Sequence, residues 1–235
     1  MTSRWISDMR SSLLSTIRTL NTVAVATAVV VMPLTLAQAP QAHARPANGP
    51  ELWKLCGQCH GDKGEGKALV GAPAIAGMPE WYVTAQLTKF KYGARAAHPK
   101  DIIGLRMRPM GRHLSDGDIP VISKFVAGMP VTMPPATLPG NALKGEKNWQ
   151  VCIACHGQDG LGNQQLGAPP LIYTNDWYLV QQLKNFKGAI RGGDATIDPM
   201  GASMQAISNT LADEQAMRDV VAYIHALRPA PKESK

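Results

Sequence analysis

Aromatic residues are scarce in this chain of 235 residues: three Phe, five Trp and five Tyr make up 6% of it. Charge is sparse as well, at 17%, while 45% of the residues are apolar, which excludes a disordered polyelectrolyte. The net charge is +7, yet no Lys/Arg run with interleaved aromatics occurs, so the footprint of a nucleic-acid binder is missing. No stretch alternates apolar and polar residues convincingly, which leaves helix as the regular element the pattern predicts. The length suits one large domain or two small ones. Two small domains with so few aromatics would struggle to fill their cores from side chains alone. Something else must fill them, and the four Cys indicate what.

The first residues read as an export signal. Arg4, Arg10 and Arg18 precede an uncharged run from Leu20 to Ala39, rich in Val and Ala. Ala42-His43-Ala44 then supplies the small-x-small pattern of a signal-peptidase site, which predicts a signal peptide over 1–44. Pro40 disfavours the rival site at Ala37-Gln38-Ala39. An uncleaved anchor is the competing reading, because the run approaches the length of a membrane span. Asn21, Thr22, Thr27, Pro33 and Thr35 weaken it as one. Either way, the rest of the chain is expected outside the cytoplasm.

That remainder is one unit written twice. Cys56-Gly57-Gln58-Cys59-His60 superposes on Cys152-Ile153-Ala154-Cys155-His156 at an offset of 96. At the same offset Gly49 and Trp53 meet Gly145 and Trp149, Gly71-Ala72-Pro73 meets Gly167-Ala168-Pro169, and Gln86-Leu87 meets Gln182-Leu183. The offset then becomes 97, where Asp101, Gly104, Met107 and Leu114 meet Asp198, Gly201, Met204 and Leu211. Such agreement marks a duplicated domain. Four prolines between Met129 and Pro139 cannot sustain a helix and predict an extended linker. The expected division is therefore a first domain over 45–128, a linker over 129–140 and a second domain over 141–235. Val83, Leu87, Phe90 and Ala94 form one apolar helical stripe, as do Leu179, Leu183, Phe186 and Ile190. Met217, Val220, Val221, Ile224 and Leu227 mark a last helix, with Asp213 as its N-cap and Ser115 or Asp116 in that role in the first copy.

Two disulfides would be the plain reading of four Cys in an exported chain. That reading explains neither the C-x-x-C spacing of each pair nor the His that follows it. Zinc is the other alternative, but a self-contained copy would offer only two thiolates and one imidazole. Covalent haem accounts for all of it. Cys56 and Cys59, and Cys152 and Cys155, can add to the two vinyl groups of one haem each. His60 and His156 then lie beneath the iron as axial ligands, and a distant Met thioether can close the sixth position. Met107 and Met204 superpose in the repeat, whereas Met110 falls on Ile207 and Met200 on Ile103, so the first pair is the expected ligand set. His98 and His113 are rival ligands without a histidine counterpart, and His225 is expected to face solvent. Arg95 and Arg191 superpose and either pair with haem propionates or sit solvated at helix ends. Trp81 and Trp177 are candidates for propionate donors or for core packing. Two haem c groups would also supply the missing aromatic mass.

With these motifs in hand, the chain resembles the class I cytochromes c, and among them the dihaem, two-domain cytochrome c4 group. The resemblance covers Gly49 to about Leu227. It implies an all-α fold of two tandem domains, each a small helical shell around one haem. It also implies that N- and C-terminal helices cross at Gly49, Trp53 and Phe125, and again at Gly145, Trp149 and Tyr223. Pro73 and Pro169 would accept the ring N–H of the proximal histidines. The implied function is electron transfer in a respiratory chain, from a quinol-oxidising complex or similar donor to a terminal oxidase or reductase. The implied location is the periplasm, with peripheral or anchored membrane association left open and no nucleic-acid partner. No enzyme activity is expected. The alternatives are a dihaem peroxidase, a thiosulfate-oxidising enzyme or a fixed subunit of a respiratory complex. From 45 to 136 twelve basic residues outnumber seven acidic ones, while from 137 to 235 there are nine of each. This imbalance predicts an acidic partner docking on the first domain and a higher potential for the first haem.

Overall fold

The computed structural model describes residues 48–229, so the leader and its cleavage site lie outside the described residues. The first domain contains α1 (Gly49–His60), α2 (Glu80–Tyr92), α3 (Ile102–His113) and α4 (Asp118–Ala127). The second contains α5 (Ala142–Trp149), α6 (Ile153–His156), α7 (Asp176–Lys187), α8 (Pro199–Ser208) and α9 (Glu214–Ala226). A short 3-10 turn follows each cysteine motif, at Ala68–Val70 and Gln164–Leu166, beside an isolated bridge, Lys67 with Ala72 or Asn163 with Ala168. No strand is present among the described residues.

The helices start where side chains can satisfy their free N–H groups. Asn48 and Glu51 form a reciprocal capping box at α1. Asn141 caps α5, Asp101 caps α3, Asp198 caps α8 and Asp213 caps α9. At α4, Ser115 and Asp118 bond reciprocally instead, while Asp116 pairs with Lys91. The stripe that includes Ala94 and Ile190 outruns its helices. α2 stops at Tyr92 because Gly93 takes a left-handed conformation at φ 87°, and α7 stops at Lys187.

Within each domain the terminal helices cross on a glycine. A Cβ on Gly49 would sit 2.6 Å from the Phe125 side chain, and one on Gly145 would sit 1.9 Å from the Asp219 carbonyl oxygen. Only glycine allows so close an approach. Trp53 stacks near Phe125 with centroids 6.0 Å apart, and Trp149 near Tyr223 at 6.4 Å. Behind these crossings lie two apolar cores. Val83, Leu87, Ile119, Ile122 and Val126 build the first; Leu179, Val180, Met217, Val220, Val221 and Ile224 build the second. Tyr173 packs against both.

The proline-rich segment is extended but pinned. Asp176 accepts from the Leu138 N–H at 2.6 Å, from the Thr137 hydroxyl at 2.8 Å and from the Thr137 N–H. Arg228 donates to the carbonyls of Pro134, Ile172 and Thr174. His225 is half-buried rather than solvated, with Nε2 against the Thr174 carbonyl at 3.0 Å and the Arg228 guanidinium at 2.7 Å. The helical spacing alone could not reveal that neighbour.

Candidate cofactor sites

The proximal half of each site grows from one helical segment. Cys56 and His60 stand four residues apart on one face at the end of α1, and Cys152 and His156 repeat the spacing around α6. All four Cys are free; Cys56 and Cys152 are half-buried, Cys59 and Cys155 exposed. Burial pushes the Cys152 thiol up to about 11, and pushes Cys56 up as well. Gly61 and Gly157 then turn the chain at φ 86° and 76°. The following loop returns Pro73 and Pro169 to the histidines: His60 Nδ1 lies 2.7 Å from the Pro73 carbonyl oxygen, and His156 Nδ1 lies 2.9 Å from that of Pro169. In this geometry Nδ1–H donates, which leaves Nε2 unprotonated and available to a metal. Burial lowers both histidine pKa values against the opposing effect of the carbonyl, so the neutral ligand form is favoured.

Facing His60 is an apolar crevice of about 1110 Å³, its open mouth included. Cys56, Cys59, Leu87, Phe90, Met107 and Met110 are among its walls. Met107 and Met110 both reach it, because residues three apart share a helix face on α3. On α8, Met204 is half-buried, whereas Met200 is 47% exposed and rests beside Gly167. His113 is exposed, and the His98 ring accepts from its own loop at the Lys100 N–H. Trp81 and Trp177 stack edge-on against Tyr82 and Tyr178.

Arg95 and Arg191 are not solvated; they are 3% and 8% exposed. Each lies over the phenylalanine of its own domain, Arg95 over Phe90 at 4.1 Å and Arg191 over Phe186 at 4.5 Å. They meet at the seam between the domains. Arg95 bonds Gln86 at 3.1 Å, Tyr178 at 3.1 Å and Gln182 at 3.3 Å; Arg191 bonds Gln182 at 2.7 Å and Gln86 at 3.0 Å. None of these partners is a carboxylate. Burial and the like charge of Arg95 both depress the Arg191 pKa. Arg95 Nε, Arg191 Nε and Gln182 Nε2 have no partner in this buried setting. Two buried cations with spare donors beside an apolar crevice fit a group that is apolar in body and anionic at one edge, as haem is. Gln86 and Gln182 superpose in the repeat, but the repeat does not reveal this role. Only a polar residue kept within an apolar stripe hinted at a buried network.

Comparison with known proteins places this geometry. The family model described as Cytochrome c matches residues 46–130 and again 142–228. Cytochrome c4 from Thiocapsa roseopersicina is 31% identical over 183 residues, 74% of this chain and 88% of that one. A thiosulfate dehydrogenase electron acceptor from Stutzerimonas stutzeri strain A1501 is 32% identical over 167 residues, 66% of this chain and 72% of that one. The crystal structure of reduced recombinant cytochrome c4 from Pseudomonas stutzeri superposes with a TM-score of 0.60 at 26% identity, over 78% of this chain and all of that one.

Proposed function

Because this chain belongs to the cytochrome c family and is a two-domain cytochrome of the c4 type with two covalently attached haems, we propose that it is a periplasmic electron carrier. In this reading it takes single electrons from a quinol-oxidising or thiosulfate-oxidising dehydrogenase and passes them to a terminal oxidase or reductase. Haem supplies the ferric/ferrous couple, one electron per iron. Every other part of the task falls to the chain's own residues.

Cys56 and Cys59 hold the first haem, and Cys152 and Cys155 the second. His60 and His156 present Nε2 to the irons, fixed by the carbonyls of Pro73 and Pro169. Met107 and Met204 would supply the thioether ligands of the two haems, and thioether ligation favours ferrous iron. The apolar walls of the crevice exclude water, and the buried Arg95 and Arg191 would offer their charge to the propionates at the seam. The paired His–Pro geometry, repeated at 2.7 and 2.9 Å, carries this proposal.

The thiosulfate donor is included because a relative at 32% identity is named as an electron acceptor of thiosulfate dehydrogenase. Anaerobic mixing separates carrier from enzyme. The ferric protein should stay oxidised with thiosulfate or quinol alone, and become reduced when a matching dehydrogenase is added. Rapid reduction by thiosulfate alone, with tetrathionate formed, would overturn the carrier reading.

A further inference from the structure

The repeat places Lys89 on Asn185 and Asp101 on Asp198. In the structure these four residues form one contact made twice, once in each direction across the seam. Lys89 Nζ donates to Asp198 Oδ1 at 2.7 Å, and Asn185 Nδ2 donates to Asp101 Oδ1 at 3.3 Å. Each acceptor is the N-cap of the helix that bears the other domain's methionine. Asp198 Oδ1 also takes the Gly201 N–H at 2.9 Å at the head of α8, and Asp101 Oδ1 takes the Gly104 N–H at 3.0 Å at the head of α3. Both caps are buried, at 2% and 1% exposure.

The two directions differ in charge and in setting: Lys89 is 23% exposed and bonds at 2.7 Å, whereas Asn185 is buried and bonds at 3.3 Å. Asp198 receives an ammonium and Asp101 a neutral amide. Each cap also has the buried arginine of its own domain nearby, Arg191 for Asp198 and Arg95 for Asp101. Burial pushes the Asp198 carboxyl up, yet Lys89 and the Gly201 N–H outweigh it and hold the group below the usual range. Lys89 is partly exposed and Asp198 buried, and salt screens a partly buried pair less than an exposed one.

We propose that Lys89, a residue of the first domain, is a positioning residue for the second haem: its ammonium neutralises the cap of the Met204 helix and raises the reduction potential of that haem. Adding an electron to an iron is easier when a nearby anion is compensated. The second domain thus borrows a charge that the first does not receive in return. The effect opposes the surface imbalance, in which the basic excess favours the first haem. This inference rests on Met204 as a ligand of the second iron.

The test is a redox titration of the full holoprotein, with each haem assigned in Met107→Ala and Met204→Ala backgrounds. Lys89→Asn copies the residue that the repeat itself uses at this position. It should lower the reduction equilibrium constant of the second haem by roughly tenfold, about 59 mV for a one-electron couple, and leave the first haem in place. Lys89→Arg should keep the native value. Asn185→Lys should raise the first haem instead. The shift should persist at high ionic strength. An unchanged second haem, an equal shift at both haems, or loss of the methionine-to-iron absorption band in Lys89→Asn would overturn the proposal. Absence of that band from the second domain of the unaltered protein would instead fail the ligand assignment beneath it.

Discussion

The first and second domains reach the same proximal geometry along different backbones. In the first, α1 runs unbroken through the cysteine motif to His60. In the second, α5 stops at Trp149, the Cys152 N–H bonds the Trp149 carbonyl at 2.8 Å, and α6 resumes at Ile153. Val151 and Ile153 replace Leu55 and Gly57 there, and β-branched side chains crowd the preceding turn. Around the buried arginines the domains trade residues. One left-handed position holds Gly93 at φ 87° in the first copy and Ala189 at φ 54° in the second; the other holds Ala96 at φ 58° and Gly192 at φ 71°. Some contacts run one way only. The Ala74 N–H donates to Asn175 across the seam at 2.6 Å, whereas its counterpart Pro170 has no N–H to give. The Cys pairs, the His–Pro pairs, the superposing Met and the buried Arg are kept, while other crevice walls, such as Met110 against Ile207, and the scaffold behind them vary.

That view can be broken most severely at the tethers. Cys152→Ala with Cys155→Ala should leave one haem, held by the first domain, and the matching change at Cys56 and Cys59 should leave one held by the second. Haem staining of denaturing gels reads both outcomes, and two retained haems in either variant would defeat the tether assignment. Next in size, Met204→Ala should lower the potential of the second haem by well over a decade in its reduction constant, at about 59 mV per decade. Met200→Ala should change little, since that side chain is 47% exposed. Swapped phenotypes would move the ligand from Met204 to Met200.

The helix crossings sharpen the comparison in stability. Gly49→Ala meets a side chain that can yield and should cost about 1–3 kcal/mol. Gly145→Ala meets a backbone carbonyl at 1.9 Å and should cost more, separating the two domains in thermal unfolding. The linker clamp is smaller. Burial pushes the Asp176 carboxyl up, but the N–H groups of Leu138, Thr137 and Trp177 and the Thr137 hydroxyl hold it below its usual range. Its contribution is therefore full above the ordinary carboxylate pKa of about 3.9 and is lost as pH falls through the depressed value. Asp176→Asn should cost about 2 kcal/mol at neutral pH and speed proteolysis within the linker. Its stability should also vary less with pH in the acid range; an unchanged acid profile would exclude the clamp. Least of all, Ala96→Gly and Ala189→Gly should each raise stability by under about 1 kcal/mol, because relief of left-handed strain is partly offset by the entropy of glycine.

Much of this was legible before the structure. Two in-register Cys-x-x-Cys-His motifs point to the cofactor, the repeat to two domains, and the family resemblance to the helix crossings at glycines and aromatics. Prolines thirteen residues beyond the histidines were expected to accept their ring N–H groups, and the carbonyls stand there. What escaped was whatever joins one copy to the other. Periodicity describes a helix against its own core, so Lys89, Asn175, Gln182 and Asp198 looked like ordinary polar positions. Arg95 and Arg191 have two readings on sequence alone, because their burial depends on Tyr178, Gln182 and Gln86 across the seam, 83 to 105 residues away. The solvent-facing position expected for His225 fails for the same reason, since the Thr174 carbonyl and Arg228 that receive it do not follow from a helical stripe. Ala94 and Ile190 kept the apolar spacing although the helices had already ended, as side-chain pattern does not report a left-handed turn.

The central claim is that each domain holds one haem between its own histidine and its own methionine. Absorption spectroscopy of the purified holoprotein, with total haem measured against protein, tests it most directly. Two covalent haems per chain are expected. The ferric spectrum should carry the weak methionine-to-iron band at an intensity that halves in Met107→Ala and halves equally in Met204→Ala. A single haem, or a band untouched by either substitution, would contradict it.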